Sequence, residues 1–501
     1  MLFEKTPLSA AEIELVTTGK NADAVAETAM EDGALALYLT ADVTPVRFVR
    51  LTWRLQTDPA LLVLRDAWER SYADLGFTPV GENTRALPWY FLLTDGENSA
   101  GFGVRVRPNA FVSFRLTPES LTALVDCRAG GVGVELDGRR LRLCEFVFGD
   151  YPAAAPFDAL TAFCRLMCPL PSRLPDFPVF GTNDWYYAYG HNTPAQVLRD
   201  AETLVAQSAD QTVRPFTVMD DGWQQNGCAA PWLPSEAYAD MAEMARKIRN
   251  AGARPGLWFR PLSAPPETDP AMLLRRGDRV CLDPSHPGTR ALLRMDLRRF
   301  RAWGYELIKH DYSSYDLFGA WGKDMADTVT EEDGWSFYDR SHTGAETVLS
   351  FYRLIREETP GVLLIACNAF SHLTAGLTDL YRTGDDTSGR DWARTRDMGV
   401  NTLAFRLPQH GIFYLVDADC VGDADGTEPW EKNRQWLSLL SHSNTALFTS
   451  VPHPTDEQNE DLKAAYAAVL RRHDLRPVDL LTNKTPAVWE IDGRTVNFDW
   501  D

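Results

Sequence analysis

The chain has 501 residues, 45% of them hydrophobic and 11% aromatic, which predicts two or three domains with full cores. Its formal net charge of -20 disfavours nucleic acid and anionic membranes as partners. No stretch approaches the roughly 18 apolar residues of a membrane span, and the first 20 residues lack a signal-peptide pattern. We therefore expect a cytoplasmic protein with no membrane contact.

The eight cysteines are scattered, without CxxC pairs or Cys/His clusters at zinc spacing. This pattern predicts neither a disulfide framework nor a structural metal, and we expect no metal and no cofactor. A divalent cation held by aspartates alone stays an open alternative.

Residues 1–165 predict an all-β, sandwich-like domain. Runs with strand character include "ALALYLT", "VRFVRLTWRL" and "FVSFRL", and in "VGVELDGRRLRLCEFVF" the pair Asp137-Gly138 predicts a hairpin turn. A short apolar helix, "FDALTAFCRLM", then leads into the proline-rich seam "CPLPSRLPDFPVFG".

Residues 176–450 predict an α/β domain of the (β/α)8 TIM-barrel class. Eight short apolar runs end in polar residues, and helix-like stretches separate several of them. An open doubly wound sheet is the main alternative, although no GxGxxG or phosphate loop supports a nucleotide-binding version. The runs are "VFGTNDW", "RPFTVMDDGW", "ARPGLWFRP", "YELIKHD", "GVLLIACN", "LYRTGDD", "IFYLVDAD" and "TALFTS".

The last segment, residues 451–501, predicts a C-terminal helix and β-hairpin extension. Helices are expected at about 429–441 and 455–472, and "AVWEIDGRTVNFDW" contains a second Asp-Gly turn between two strand-like runs.

The polar residues at the predicted strand ends converge on one pocket if the barrel is correct, because TIM-barrel sites lie at the C-terminal ends of the strands. Helix capping explains any single aspartate at these positions but explains the whole set poorly. The set comprises Asp184, Trp185, Asp220, Asp221, Lys309, Asp311, Cys367, Asn368, Arg382, Asp385, Asp386, Asp417 and Asp419.

Clustered carboxylates without a histidine ligand set favour glycoside chemistry. In a retaining glycosidase one carboxylate attacks the anomeric carbon, and a second carboxyl group, with a raised pKa, protonates the leaving oxygen. Lys309 lies two positions from Asp311, on the same face of a strand, and its cation favours an ionised nucleophile. Asp311 is the natural nucleophile on this reasoning.

Three segments resemble the α-galactosidases of glycoside hydrolase family 36 and their family 27 relatives. "WGYELIKHD" resembles the Trp-Gly-x-x-x-x-Lys-x-Asp segment, "MDDGWQ" the Asp-Asp-Gly-Trp element, and "YRTGDDTS" the Arg-x-x-x-Asp element. The likeness covers about residues 176–450, and the preceding β domain suits family 36.

The resemblance implies roles for three residues of these motifs. Asp311 would be the nucleophile, Asp386 the acid/base and Arg382 a substrate-binding arginine. The spacing from Arg382 favours Asp386 over the adjacent Asp385.

Further substrate contacts are implied for residues at neighbouring strand ends. Asp220 and Asp221 would accept hydrogen bonds from sugar hydroxyls. Trp185 would stack on the sugar or simply pack at the barrel mouth. Lys309 would hold a hydroxyl and stabilise the Asp311 anion, and Trp258 is also assigned to substrate binding.

The chain departs from family 36 at two places. Cys367-Asn368 stands where relatives contact the sugar 2-position but lacks the usual Cys-Ser-Gly-Gly, which leaves the 2-substituent open. Arg260 replaces an acidic residue, which favours a different or anionic aglycone. For His191 and His310 a structural role is favoured over a catalytic one.

The resemblance implies a retaining exo-α-glycosidase that releases terminal α-linked galactose from small oligosaccharides or glycosides, with a homo-oligomer expected by analogy alone. The alternatives are an α-N-acetylgalactosaminidase or α-glucosidase type of enzyme and a transglycosidase. A non-catalytic carbohydrate-binding protein would need neither Asp311 nor Asp386, so the presence of both counts against it.

Overall fold

The computed structural model describes residues 11–19, 23–170, 174–208, 212–225, 227–424 and 426–501. Residues 1–10 and 20–22 of the predicted first domain, and residues 171–173 of the proline-rich seam, lie outside the described residues. The domain limits 1–165, 176–450 and 451–501 stay predictions.

Twelve strands and one helix form the N-terminal part of the described chain. They are β1 Glu12–Thr17, β2 Val25–Glu31, β3 Ala34–Thr40, β4 Val46–Arg54, β5 Leu62–Arg65, β6 Phe77–Pro79, β7 Leu87–Pro88, β8 Tyr90–Thr94, β9 Ser99–Val104, β10 Phe111–Leu116, β11 Ser120–Asp126, β12 Leu141–Tyr151 and α1 Pro156–Met167.

These strands make two sheets that pack face to face. The sheet orders are β1-β4-β11-β10-β7 and β2-β3-β12-β9-β8-β5-β6. Trp53 and Phe114 of the first sheet lie 5.4 and 5.3 Å, between ring centroids, from Phe102 of the second. Buried aromatic contacts of this kind stabilise a sandwich core, and the predicted N-terminal β domain is confirmed.

The hairpin predicted across Asp137-Gly138 is wrong, although its turn exists. Asp137 and Gly138 have φ values of 53° and 77°, as a turn of that type requires. Only β12 follows as a strand, because the preceding segment pairs elsewhere: Val134 forms a bridge with Val46, and β12 pairs with β3 and β9.

Eight parallel strands form a closed barrel in chain order, which confirms the predicted (β/α)8 fold. Every predicted run contributes one strand. They are β13 Phe180–Asn183, β14 Phe216–Met219, β15 Arg254–Phe259, β18 Leu307–His310, β19 Leu363–Ala366, β20 Leu380–Arg382, β21 Leu415–Gly422 and β22 Ala446–Ser450; a two-stranded sheet of β16 Leu273–Arg276 and β17 Arg279–Leu282 lies between β15 and β18.

Helices surround the barrel, and their ends follow the sequence. Gly252 and Gly304, with φ of 107° and 89°, end two of them, and Thr343 with Glu346 forms a capping box on a third. The helices are α2 Trp185–Ala188, α3 Pro194–Gln207, α4 Met241–Ala251, α5 Pro287–Trp303, α6 Ser313–Phe318, α7 Gly344–Glu358, α8 Ser371–Thr374, α9 Trp392–Thr395, α10 Asn401–Arg406, α11 Trp430–Ser441 and α12 Asp456–Val469.

A three-stranded antiparallel sheet follows α12, with the order β23 Leu475–Pro477, β24 Val488–Ile491 and β25 Arg494–Asn497. Asp492-Gly493 forms the turn of the predicted hairpin, with φ values of 51° and 73°. Within the described ranges, no helix has the length and apolar character that crossing a bilayer requires.

The sandwich packs on the C-terminal end of the barrel. The Ser71 N–H donates to the Thr383 carbonyl, just after β20, at 2.8 Å. Phe111 of β10 lies 4.8 Å from Phe370, which follows β19. His372 of α8 lies 2.8 Å, through Nε2, from the carbonyl oxygen of Val104 at the end of β9. The β domain therefore stands where a TIM barrel carries its site.

We expect buried histidines to make the fold acid-sensitive. Burial lowers the pKa of His310, His372 and His410 from 6.5 to about 4. Between these pKa values the unfolded chain binds more protons than the folded one, so stability falls as pH falls. Each histidine is expected to cost about 2 kcal/mol between pH 7 and pH 5.

Guanidinium unfolding at both pH values checks this expectation. The His372→Gln variant should lose about 2 kcal/mol less than wild type between the two pH values. His191→Gln is the control, because His191 is exposed. An equal loss in wild type and His372→Gln would contradict the assignment.

Candidate active site

A pocket of about 440 Å³ opens at the C-terminal end of the barrel. Its position follows from the parallel strands, whose ends all point to this face. It contains most of the predicted site residues together with three that were not predicted to contact substrate. The lining residues are Arg70, Trp185, Asp220, Asp221, Trp258, Lys309, Asp311, Tyr312, Trp321 and Asp386.

Asp311 follows β18 and is held by two neutral N–H donors. Trp258 Nε1 donates to its Oδ2 at 3.1 Å, and the backbone N–H of Tyr312 donates to its Oδ1 at 2.7 Å. Tyr312 adopts a φ of 63°, in the left-handed region. The chain turns sharply after β18, and the turn itself fixes the orientation of the carboxylate.

Asp386 lies in the loop after β20, and its Oδ1 contacts two guanidinium groups. Arg382 Nη2 lies 2.9 Å from this oxygen and Arg70 Nη1 lies 3.4 Å from it. The adjacent Asp385 instead pairs with Arg70 and Arg394, both at 2.8 Å, and does not line the pocket. The geometry favours Asp386 over Asp385 as the group that faces a substrate.

The pKa of Asp386 lies below its usual value. Burial alone raises this pKa, but the positive charges of Arg382 and Arg70 outweigh it. The raised pKa expected of the acid is therefore not found. The sequence reasoning considered burial and neighbouring carboxylates but not a second guanidinium group from another domain.

A buried ion pair forms the floor of the pocket. Lys309 Nζ donates to Asp220 Oδ2 at 2.7 Å, and Asn183 Nδ2 donates to the same oxygen at 2.7 Å. Burial opposes the charge of Lys309, but Asp220 raises its pKa well above the usual value. Lys309 is thus a permanent cation, paired with Asp220 beside Asp311.

The pocket lining also combines a further carboxyl group with two indole rings. Burial and the nearby Asp220 raise the pKa of Asp221, while Gln224 donates to its Oδ1. Trp258 is almost fully buried, and Trp185 is partly exposed with its ring 5.1 Å from that of Tyr189. Hydroxyl acceptors beside apolar ring faces suit a sugar.

Three predicted substrate-binding residues do not line the pocket. Arg382 lies beneath it, where it pairs with Asp419 and donates to the Tyr186 hydroxyl at 3.3 Å. Cys367 is buried and its thiol has a pKa raised well above the usual range by burial. Asn368, with φ of 50°, donates through Nδ2 to Glu69 Oε2 at 2.6 Å.

The other residues considered from sequence have structural surroundings. Arg260 forms a double hydrogen bond with the buried Asp316, at 3.0 and 2.5 Å, and lies over the Tyr312 ring at 4.2 Å. Its charge is therefore balanced within the protein. His310 is buried with a lowered pKa, and His191 is exposed on the surface.

Sequence reasoning missed four residues at this site: Glu69, Arg70, Tyr312 and Trp321. Trp321 lies in the long segment between α6 and α7, and its ring stacks on Tyr315 at 4.2 Å. Tyr312 follows the nucleophile candidate directly, so its aromatic type next to Asp311 was the available signal.

Glu69 and Arg70 carried no sequence signal, because their loop belongs to the sandwich. Glu69 is fully buried and accepts hydrogen bonds from the Tyr72 hydroxyl, Ser314, the Gly322 N–H and Asn368. These donors belong to three separate segments of the chain, so the carboxylate fixes the loop against the barrel.

Within the part of the chain that the structure describes, no group of three or more His, Cys, Asp and Glu side chains has the geometry to hold a metal ion. The positive charges of the pocket come instead from Lys309 and Arg70.

The fold of this chain matches the folds of solved α-galactosidase structures. An α-galactosidase from Thermus thermophilus in complex with p-nitrophenyl α-D-galactopyranoside matches with a TM-score of 0.65 and 19% identity, over 94% of this chain and 99% of that one. A family 36 α-galactosidase from Geobacillus stearothermophilus matches with a TM-score of 0.57 and 12% identity, over 92% and 72% of the two chains.

An α-galactosidase from Lactobacillus brevis matches with a TM-score of 0.60 and 12% identity, over 96% of this chain and 74% of that one. No protein-family model and no curated protein matches the sequence. At such identities the matches establish the fold, and the matched structures belong to the group that the motifs resemble.

We expect Glu69→Gln to destabilise the protein by about 2–4 kcal/mol, because a glutamine presents one acceptor oxygen and turns an amide donor toward groups that are themselves donors. Denaturant unfolding measures the loss. Glu97→Gln is the control, since Glu97 is exposed in the same domain. Equal stability of the two variants would show that the Glu69 contacts contribute little.

Proposed function

We propose that this chain is a retaining exo-α-glycosidase that hydrolyses terminal α-linked galactose from small galactosides that have entered the cell. The observation that carries the proposal is the placement of Asp311 and Asp386 in the wall of one pocket, next to the Lys309–Asp220 pair. Two carboxyl groups with different partners are the requirement of the double-displacement reaction.

In the first step, a carboxylate oxygen of Asp311 attacks the anomeric carbon from the β face. The bond from that carbon to the leaving oxygen breaks, and Asp386 gives its proton to this oxygen. The hydrogen bonds from Trp258 and Tyr312 hold the nucleophile in place. Preorganisation of this kind reduces the rearrangement needed to reach the transition state.

In the second step, the Asp386 carboxylate takes a proton from a water molecule. The resulting hydroxide oxygen attacks the anomeric carbon, the bond to Asp311 breaks, and galactose leaves with the α configuration. The lowered pKa of Asp386 favours the ionised form that this step uses. The first step draws on the protonated fraction, which grows as pH falls.

The floor and wall of the pocket support recognition of a terminal sugar. The Lys309–Asp220 pair and Asp221 offer one cation and two carboxyl groups to vicinal hydroxyls. The buried ion pair closes the barrel end of the pocket, which suits the non-reducing end of a chain. The related Thermus thermophilus enzyme, solved with an α-galactoside, supports galactose as the sugar.

A panel of p-nitrophenyl glycosides tests the function. We expect the α-galactoside to be turned over at least about tenfold faster than the α-glucoside and the α-N-acetylgalactosaminide, because a site that bonds one hydroxyl arrangement leaves polar groups unpaired with another. Release of nitrophenol measures turnover. A different preferred sugar would revise the substrate, and binding of all α-glycosides without hydrolysis would refute the enzyme.

Excess of a second sugar in the same assay separates hydrolysis from transfer. A hydrolase gives galactose as the main product, and a transglycosidase gives a new disaccharide.

The homo-oligomer stays a prediction, and analytical sedimentation would measure the oligomeric state directly.

The two carboxyl groups are assigned by complementary variants. We expect Asp311→Gly to lose at least about a thousandfold of the rate on an activated aryl α-galactoside, and azide to restore turnover as the β-galactosyl azide. Product anomers are measured by NMR.

Asp386→Gly is the matched control. It should still form the galactosyl-enzyme from the activated substrate, and azide should then give the α-galactosyl azide, because two displacements retain the configuration. Wild-type rates in Asp311→Gly, or the same azide anomer from both variants, would contradict the assignment.

A further inference from the structure

Arg70 brings a charge from the β domain into the pocket. It follows β5 by five residues and is 7% exposed, and it lines the pocket with Asp311 and Asp386. Its Nη2 lies 2.8 Å from Asp385 Oδ1 and its Nη1 lies 3.4 Å from Asp386 Oδ1. One guanidinium therefore spans two consecutive carboxylates after β20, a geometry that the planar fork of arginine suits.

The two oxygens of Asp386 have different surroundings. Both Arg382 Nη2 and Arg70 Nη1 contact Oδ1. Oδ2 accepts no hydrogen bond from the residues that the structure describes, and the side chain is 38% exposed. The two arginines approach from the barrel strand and from the sandwich, so together they set the rotation of the carboxyl group.

Arg70 is itself held in place by contacts with its own loop and with the barrel domain. Its Nε donates to the Tyr72 hydroxyl at 3.3 Å, and its guanidinium lies 5.2 Å from the centroid of the Trp321 ring. Tyr72 in turn donates to the buried Glu69. Such contacts keep the guanidinium in one orientation.

We propose that Arg70 is a positioning residue for Asp386: with Arg382 it fixes Oδ1 and leaves Oδ2 directed to the pocket as the oxygen that carries the catalytic proton. The inference rests on the proposed function, because it assigns Asp386 the role of acid/base. It makes the β domain part of the catalytic apparatus.

The charge of Arg70 adds a pH effect to this positional one. Removal of the Arg70 cation leaves the other cations near Asp386 in place but raises the pKa of Asp386. The alkaline limb of the kcat/KM profile therefore moves to higher pH. The other charged or titratable groups facing Asp386 from the surrounding elements are Arg382, Lys309, Arg394, Asp385, Tyr186 and Tyr312.

Two substitutions separate orientation from charge. Arg70→Gln removes both, and we expect kcat/KM to fall about tenfold or more on an alkyl galactoside, whose leaving group needs the proton, but less than about threefold on the p-nitrophenyl galactoside. Its alkaline limb should move up by about one pH unit. Arg70→Lys should return the limb toward wild type without restoring the rate on the alkyl substrate.

Arg394→Gln is the matched control. Arg394 pairs with Asp385 at 2.8 Å, as Arg70 does, but forms no ion pair with Asp386. We expect it to keep the ratio of the two substrate rates and to shift the limb less than Arg70→Gln. Equal losses on both substrates with an unmoved limb in Arg70→Gln would overturn the inference while leaving the proposed function intact.

A wild-type protein that hydrolyses no glycoside would refute the proposed function. In that case a double-mutant cycle, measured by thermal unfolding, still tests whether Arg70 and Asp386 are in contact. Arg70→Gln, Asp386→Asn and the double variant should show non-additive shifts in Tm at neutral pH, because residues in contact couple. Additive shifts would refute the contact, and an inactive wild type would refute the assigned role.

If the enzyme is active but Arg70→Gln fails to fold, Arg70→Lys replaces it in the kinetic comparison of the two galactosides.

Discussion

The contact on which this site depends is the burial of two oppositely charged neighbours, Glu69 and Arg70, where the sandwich meets the barrel. A buried carboxylate without partners is costly, so Glu69 must find its donors, and it takes them from α6, the following loop and the end of β19. Those contacts fix the loop against the barrel. Arg70 is then carried to the carboxylates after β20.

Charge balance explains why so many carboxyl groups coexist in one small volume. Asp220 is paired with Lys309, Asp419 with Arg382, and Asp385 with Arg70 and Arg394. Each pair removes a repulsion that would otherwise disfavour ionisation of the pocket carboxylates. Of these partners, only Arg70 comes from outside the barrel, so the β domain completes a set that the barrel strands supply in part.

The barrel could be predicted from sequence because each of its strands is a local apolar run that ends in polar residues. The same logic predicts that Asp311, Asp386 and Lys309 lie at strand ends facing one site, and the three side chains line one pocket. It fails where contacts are distant in the chain: Val134 pairs with Val46 instead of forming the predicted hairpin. Asn368 follows a strand, as substrate residues do, but its amide bonds to Glu69, 299 residues away. No local pattern encodes such a partner.

The two principal carboxyl groups differ in the kind of donor that holds them, and this difference suits the different roles that the proposed function gives them. Asp311 receives hydrogen bonds from an indole and a backbone N–H, which are both neutral donors and orient the carboxylate. Asp386 faces two guanidinium groups, and both contact the same oxygen, Oδ1. Cations stabilise the ionised form, whereas the remaining oxygen is free to exchange a proton with the pocket. In the proposed reaction, the site would thus separate a fixed nucleophile from a group that gains and loses a proton in each cycle.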